Sequence, residues 1–136
     1  MDSLKFRQAL PLVVLSALLS LTGCGDSSMG DVQGVITLDG QPLPDAFIRF
    51  VPTGEGASSF GKSSSDGTYR MKFTDTKYGV SVGEHQVSIS TGDVKSDNSG
   101  VVPEVVPKLY NSETTLTSEV VPGRNTVDFD LKSDQE

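Results

Sequence analysis

The chain has 136 residues, room for one domain of ordinary size and not for two. Its 11 Lys+Arg against 18 Asp+Glu give a net charge of −7, with the acidic residues scattered singly and no basic stripe in the sequence, so nucleic acid is not expected as a partner. One cysteine excludes an internal disulfide and any multi-cysteine metal site, and one histidine leaves no set of imidazole ligands for zinc.

Lys5 and Arg7 precede an apolar run from Ala9 to Leu21. The run fits the ~7–15 residues of a secretory h-region and falls short of the ~20 that a spanning helix needs. It ends in Leu21-Thr22-Gly23-Cys24, which resembles the bacterial lipobox: an aliphatic residue, two small residues, then the cysteine. The resemblance implies a diacylglycerol thioether on Cys24, removal of residues 1–23, and membrane attachment through the lipid (a palmitate-type anchor), with the rest of the chain facing the periplasm or the cell exterior. An ordinary signal cut near Gly23 fits Leu21 poorly, because the general peptidase favours small residues at both key positions. Loss of Asp2, Lys5 and Arg7 with the leader would lower Lys+Arg from 11 to 9 and Asp+Glu from 18 to 17, for a net charge of −8. Residues 24–30 are small and polar and read as a flexible tether.

From Val32 onward the apolar residues recur with period two, so the expected elements are strands. Val32, Gly34, Ile36 and Leu38 share one face of a first strand, closed by Asp39-Gly40, a pair suited to positive φ. Pro42 and Pro44 mark a connection. Ala46 to Val51 makes a second strand with Ile48 and Phe50 inward and Arg49 outward, followed by an exposed Thr53–Ser59 loop. A weak third strand from Phe60 to Ser64 turns at Asp66-Gly67 into a fourth, whose Tyr69, Met71 and Phe73 are predicted to face the core. Val80 to Glu84 leads into a fifth strand that places His85, Val87 and Ile89 on one apolar face. Thr91 to Pro107 is a long polar connection, the kind that often carries function. Leu116, Ser118 and Val120 form a sixth strand, Pro122-Gly123 a turn, and Val127, Phe129 and Leu131 a seventh. Residues 132–136 are a polar tail. Short strands with Gly- and Pro-rich turns specify an all-β chain, a seven-stranded Greek-key β-sandwich over residues 31–131.

The pieces Gly34-Val35-Ile36-Thr37-Leu38-Asp39-Gly40-Gln41-Pro42-Leu43-Pro44-Asp45-Ala46, Ser65-Asp66-Gly67-Thr68-Tyr69 and Gly83-Glu84-His85-Gln86-Val87-Ser88-Ile89 resemble, in order, parts of the carboxypeptidase regulatory-like, transthyretin-like domain. They match its first strand and proline turn, its Asp-Gly-x-Tyr hairpin and its Gly-x-aromatic-x-Val strand, with His85 where the family usually has Tyr or Phe. Val106-Pro107-Lys108-Leu109-Tyr110-Asn111, Leu116-Thr117 and Gly123-Arg124-Asn125 look like the closing part of short lipoproteins of this kind in planctomycete-type bacteria. The resemblance implies a prealbumin-like sandwich that does no chemistry of its own; fold alone does not supply a function.

No nucleophile–base motif surrounds the single His, so the expectation is a non-enzyme with no catalytic residue, no metal and no cofactor. The hydroxyisourate hydrolases of similar fold carry histidines and a Tyr-Arg-Gly-Ser ending that this chain lacks. The expected role is binding, adhesion or scaffolding toward envelope proteins. The alternative is a small-ligand binder, with Tyr78 and Tyr110 as loop aromatics for a glycan, or Asp93, Asp97 and Asn98 as oxygen ligands for calcium. Against that stands the blander reading, in which each tyrosine plugs an end of the sandwich and the loop is simply solvated.

Overall fold

A computed structural model of the protein describes residues 28–94 and 99–135. Cys24, with the rest of the lipobox (Leu21, Thr22 and Gly23), and Asp97 and Asn98 lie outside the described residues.

The chain is all-β: β1 (Met29–Leu38), β2 (Gln41–Pro42), β3 (Phe47–Pro52), β4 (Ser59–Lys62), β5 (Thr68–Arg70), β6 (Lys72–Thr74), β7 (Lys77–Tyr78), β8 (Val80–Ser81), β9 (Gly83–Ser90), β10 (Asp93–Val94), β11 (Val101–Val102), β12 (Thr117–Val120), β13 (Gly123–Thr126) and β14 (Phe129–Leu131). A single 3₁₀ turn, Lys108–Tyr110, interrupts the strands among the described residues.

Two sheets face each other. In one, β1 is the hub: it takes β13 and then β14 in parallel along one side, and β8, β5 and β2 antiparallel along its other partners. β14 is the expected seventh strand, begun at Phe129, and β13 is an additional strand that starts at Gly123, where only a turn was expected. Between them, Gln33 C=O accepts from Val127 N–H (2.8 Å), and the Asp128 carboxylate accepts from Val35 N–H (2.8 Å), so the backbone groups of β1 stay paired across the kink. Gly34 permits this approach, since a Cβ there would collide with the Val127 carbonyl. The second sheet runs β12-β9-β3-β4-β6-β7, antiparallel throughout.

The core forms where the inward faces meet. Val32, Ile36, Tyr69, Val80, Phe129 and Leu131 come from the first sheet, and Ile48, Phe50, Val87, Ile89 and Val120 from the second. Phe50 meets Phe129 edge-on with ring centroids 6.4 Å apart, a favoured aromatic geometry. The hairpin at Asp39-Gly40 has φ of 52° and 80°, the paired positive values of a type I′ turn. Pro42, expected in a connection, pairs with Thr37, and Gln41 beside it with Leu38. Ser59, assigned to the exposed loop, is fully buried opposite Phe50.

The predicted fourth strand departs from expectation. Tyr69 and Met71 are buried, but Phe73 is only half-buried. The chain changes sheets at Met71: β5 belongs to the first sheet and β6 to the second, and the register is irregular between Lys72 and Thr74. Alternation read straight through a crossing and a bulge does not carry inward direction beyond them.

Candidate functional site

The outer face of the β3-β4-β6-β7 region is the most distinctive surface of the described residues. Strand alternation that sends Ile48 and Phe50 inward turns Phe47 and Arg49 outward, and on β4 the same alternation exposes Phe60 and Lys62. Phe47 is 41 % exposed, Phe60 53 % and Tyr78 48 %. Large rings left in water at neighbouring positions on one face are informative in a way that isolated apolar residues are not.

Register places these side chains in rows. Arg49 stands opposite Phe60, Phe60 opposite Lys72, and Lys72 opposite Tyr78, so cation and aromatic alternate straight across four strands. Directly opposed residues share a face and lie about 5 Å apart, so the row is about 15 Å long. Phe47 opposite Lys62 adds a second pair beside it. The cations rest near ring faces: Lys62 5.4 Å from the Phe47 centroid, Arg49 5.9 Å from Phe60, Lys72 5.3 Å and Arg70 4.2 Å from Tyr78, and Lys77 5.9 Å from Phe73. At exposed sites each such contact contributes about 0.5–1 kcal/mol.

The cations differ in how fully they are neutralised. Arg70 donates Nε and Nη2 to the Asp31 carboxylate (2.9 and 3.1 Å), and Lys62 pairs with Asp45 at 3.1 Å. Arg49 and Lys72 have ring contacts and no carboxylate at ion-pair distance among the described residues. The surface is concave. One groove of about 490 Å³ runs between Phe47, Phe60, Lys62, Lys72 and Phe73, with the carboxylate of Asp75 also in its lining, and a second of about 430 Å³ lies between Lys62, Tyr69, Arg70, Lys72 and Tyr78. Lys62, Lys72 and Gly61 line both, so the two grooves adjoin. The fold thus assembles a basic face that the linear sequence does not display as a stripe.

The two sequence-selected tyrosines part company. Tyr78 sits on β7 at the end of the row, one side of its ring against Arg70. Tyr110 lies in the 3₁₀ turn, 9 % exposed, packed in the core, and its hydroxyl accepts from Lys132 N–H at 3.2 Å. Its ring face is therefore not open to a ligand, and it closes the sandwich near β14.

His85 is 1 % exposed, with its ring centroid 5.8 Å from that of Phe50. Its Nδ1 lies 3.0 Å from the Gly83 carbonyl, which can only accept, so Nδ1 carries the proton. Nε2, 3.2 Å from Ser81 Oγ, then accepts from the hydroxyl. Burial pushes the His85 pKa down, against the Gly83 carbonyl, which favours the charged form. A serine–imidazole pair oriented by a carbonyl has the outline of a nucleophile and base, yet neither residue lines the grooves of the basic face.

One carboxylate ties together the two described ends of the long Thr91–Pro107 connection. Glu104 accepts from Thr91 N–H, Thr91 Oγ1 and Val106 N–H through Oε1, and from Gly92 N–H through Oε2, at 2.9 to 3.2 Å. Burial raises its pKa, but those hydrogen bonds outweigh burial and hold it below the usual carboxylate value. Asp93 lies on β10 of the same segment.

No family model matches the chain, and no curated protein does. Among solved structures, the chain is similar to the crystal structure of a DUF3823 family protein from Parabacteroides merdae ATCC 43184, with 16 % identity and a TM-score of 0.43 over 78 % of this chain and 47 % of that one. The chain spans about half the length of that protein.

Proposed function

We propose that this protein is a non-enzymatic, lipid-anchored module of the bacterial cell envelope, whose β-sandwich, of the carboxypeptidase regulatory-like kind, presents a binding face to partners outside the cytoplasm. The observation that carries the binding role is the alternating row Arg49, Phe60, Lys72 and Tyr78 on the outer face of the second sheet. Its rings, and cations without a carboxylate partner among the described residues, lie on the face opposite the buried Ile48 and Phe50 of the same sheet. The Leu21-Thr22-Gly23-Cys24 motif supports the anchor, and the sequence likeness of residues 31–131 supports the family. Fractionation of expressing cells tests the anchor: the wild type is expected in membranes with an acylated Cys24 peptide by mass spectrometry, and Cys24→Ala in the soluble fraction. Retention of Cys24→Ala on membranes would contradict lipid as the sole attachment.

The Ser81–His85 contact favours a second reading, an esterase-like centre. Burial of the imidazole against Phe50 argues for a packing role instead. Turnover of activated esters that disappears in His85→Ala would establish the enzymatic reading.

A further inference from the structure

We infer that the outer face of β3, β4, β6 and β7 is a site for an anionic polysaccharide, whose sugar rings stack on Phe60 and Tyr78 while its carboxylates meet Lys72, Arg49 and Lys62. This deepens the binding role proposed above and rests on it.

Spacing is the first argument. Phe60 and Tyr78 flank Lys72 in one cross-strand row, so the two rings stand two strand spacings apart, about 10 Å. That is comparable to the length of a disaccharide, and it lets alternate sugars of a linear chain stack while the sugar between them faces an ammonium group. Aromatic faces suit sugar rings because the polarised axial C–H groups of the sugar meet the negative face of the π-system. The exposed lysines and Arg49 swing aside at small cost, since isolated surface contacts of this kind are weak, whereas Arg70, held by Asp31, stays against Tyr78.

Shape and charge narrow the occupant. Two adjoining shallow grooves share Lys62 and Lys72, one holding Phe60 and the other Tyr78, so a ligand that reaches both rings crosses the two lysines. An extended peptide would use main-chain hydrogen bonds at a sheet edge. Here the edge strand β7 is only two residues long. Arg49 and Lys72, without carboxylate partners among the described residues, supply complementarity to acidic groups. The chain's net charge of −7 works against any polyanion, so binding here depends on the local cations Arg49, Lys62 and Lys72.

The test is equilibrium binding of the full-length chain, in detergent, to polygalacturonate and to its methyl ester, in which the same backbone is uncharged. The acidic polymer is expected to bind at least about tenfold more tightly than the ester. Phe60→Ala and Lys72→Gln should each weaken it about fivefold, Phe60→Tyr should retain it, and Arg124→Gln, the same charge change on the opposite sheet, should alter it less than about twofold. Unchanged melting temperatures for the variants separate lost contacts from lost folding. The inference is overturned by no binding, by equal binding of the ester, by equal losses in Arg124→Gln and Lys72→Gln, or by tighter binding to phosphatidylglycerol vesicles or oligothymidylate. Acylation of the Cys24 peptide and hydrolysis of the polymer are read on the same samples. A bound, intact polymer with an unmodified Cys24 would leave the site standing and remove the anchor; an acylated Cys24 without polymer binding would do the reverse.

Discussion

Phe50 and Phe60 are the same residue type on adjacent strands, one position out of register, and they face opposite sides of the sheet. Phe50 is fully buried against His85 and Phe129. Phe50→Ala removes its transfer free energy and leaves a cavity, together about 3–5 kcal/mol. Against a total stability of about 5–15 kcal/mol, that is a large fraction, equivalent to a fall in Tm of more than about 12 °C. Phe60 is 53 % exposed. Full burial of such a side chain is worth about 1.5–3 kcal/mol, about half of which is at stake for Phe60, and with the Arg49 contact adding about 0.5–1 kcal/mol, Phe60→Ala should cost about 1–2.5 kcal/mol. Urea unfolding followed by circular dichroism measures both on the same chain. A cost above about 3 kcal/mol for Phe60→Ala, in the range of a core phenylalanine, would mean that the ring serves folding and is not held on the surface for a ligand.

Gly34→Ala should destabilise by more than about 2 kcal/mol, because its Cβ meets the Val127 carbonyl and Asp128 where β1 runs beside the last strands; a near-neutral effect in the same urea assay would contradict that approach. Glu104 has a folded pKa below its unfolded value, so its contribution is present above the ordinary carboxylate range and is lost as pH falls through the folded pKa. Between about pH 6 and pH 3 the amides of Thr91, Gly92 and Val106 should lose hydrogen-exchange protection in the wild type, and Glu104→Gln should show weakened protection already at the upper pH. The buried His85 also has a depressed pKa, so its neutral form stabilises the fold above the ordinary histidine value of about 6.5, and that contribution falls as pH drops from there toward the folded pKa. His85→Phe should flatten the pH dependence of Tm in that window; an unchanged slope would remove His85 as its cause.

What was legible in sequence was local. Ile36, Ile48, Phe50, Val87 and Phe129 were placed in the core by period-two alternation alone, and each is buried. Asp39-Gly40 was readable because the dipeptide itself tolerates the positive φ that the hairpin requires. Phe73 leaves the core that alternation predicts for it because alternation cannot register a change of sheet at Met71. The basic face was missed for a related reason. Arg49, Phe60, Lys72 and Tyr78 are separated along the chain and meet only through strand register, which depends on nonlocal pairing. An outward Phe47 beside outward Arg49, and an outward Phe60 beside Lys62, were the available hints, since each puts a ring on the face that alternation gives to solvent. Tyr110 and Tyr78 looked alike as loop aromatics, and only the 3₁₀ turn that folds Tyr110 under the sandwich tells them apart.

The claim that this face meets a partner in the envelope is tested most directly by photo-cross-linking in intact cells, with a photoreactive phenylalanine at position 60 and, separately, at Asp130 on the opposite sheet. Adducts to envelope polymer from position 60 and none from position 130, on a chain whose Cys24 peptide is acylated, are the predicted result. Equal adducts from both positions, or none from position 60, would contradict it.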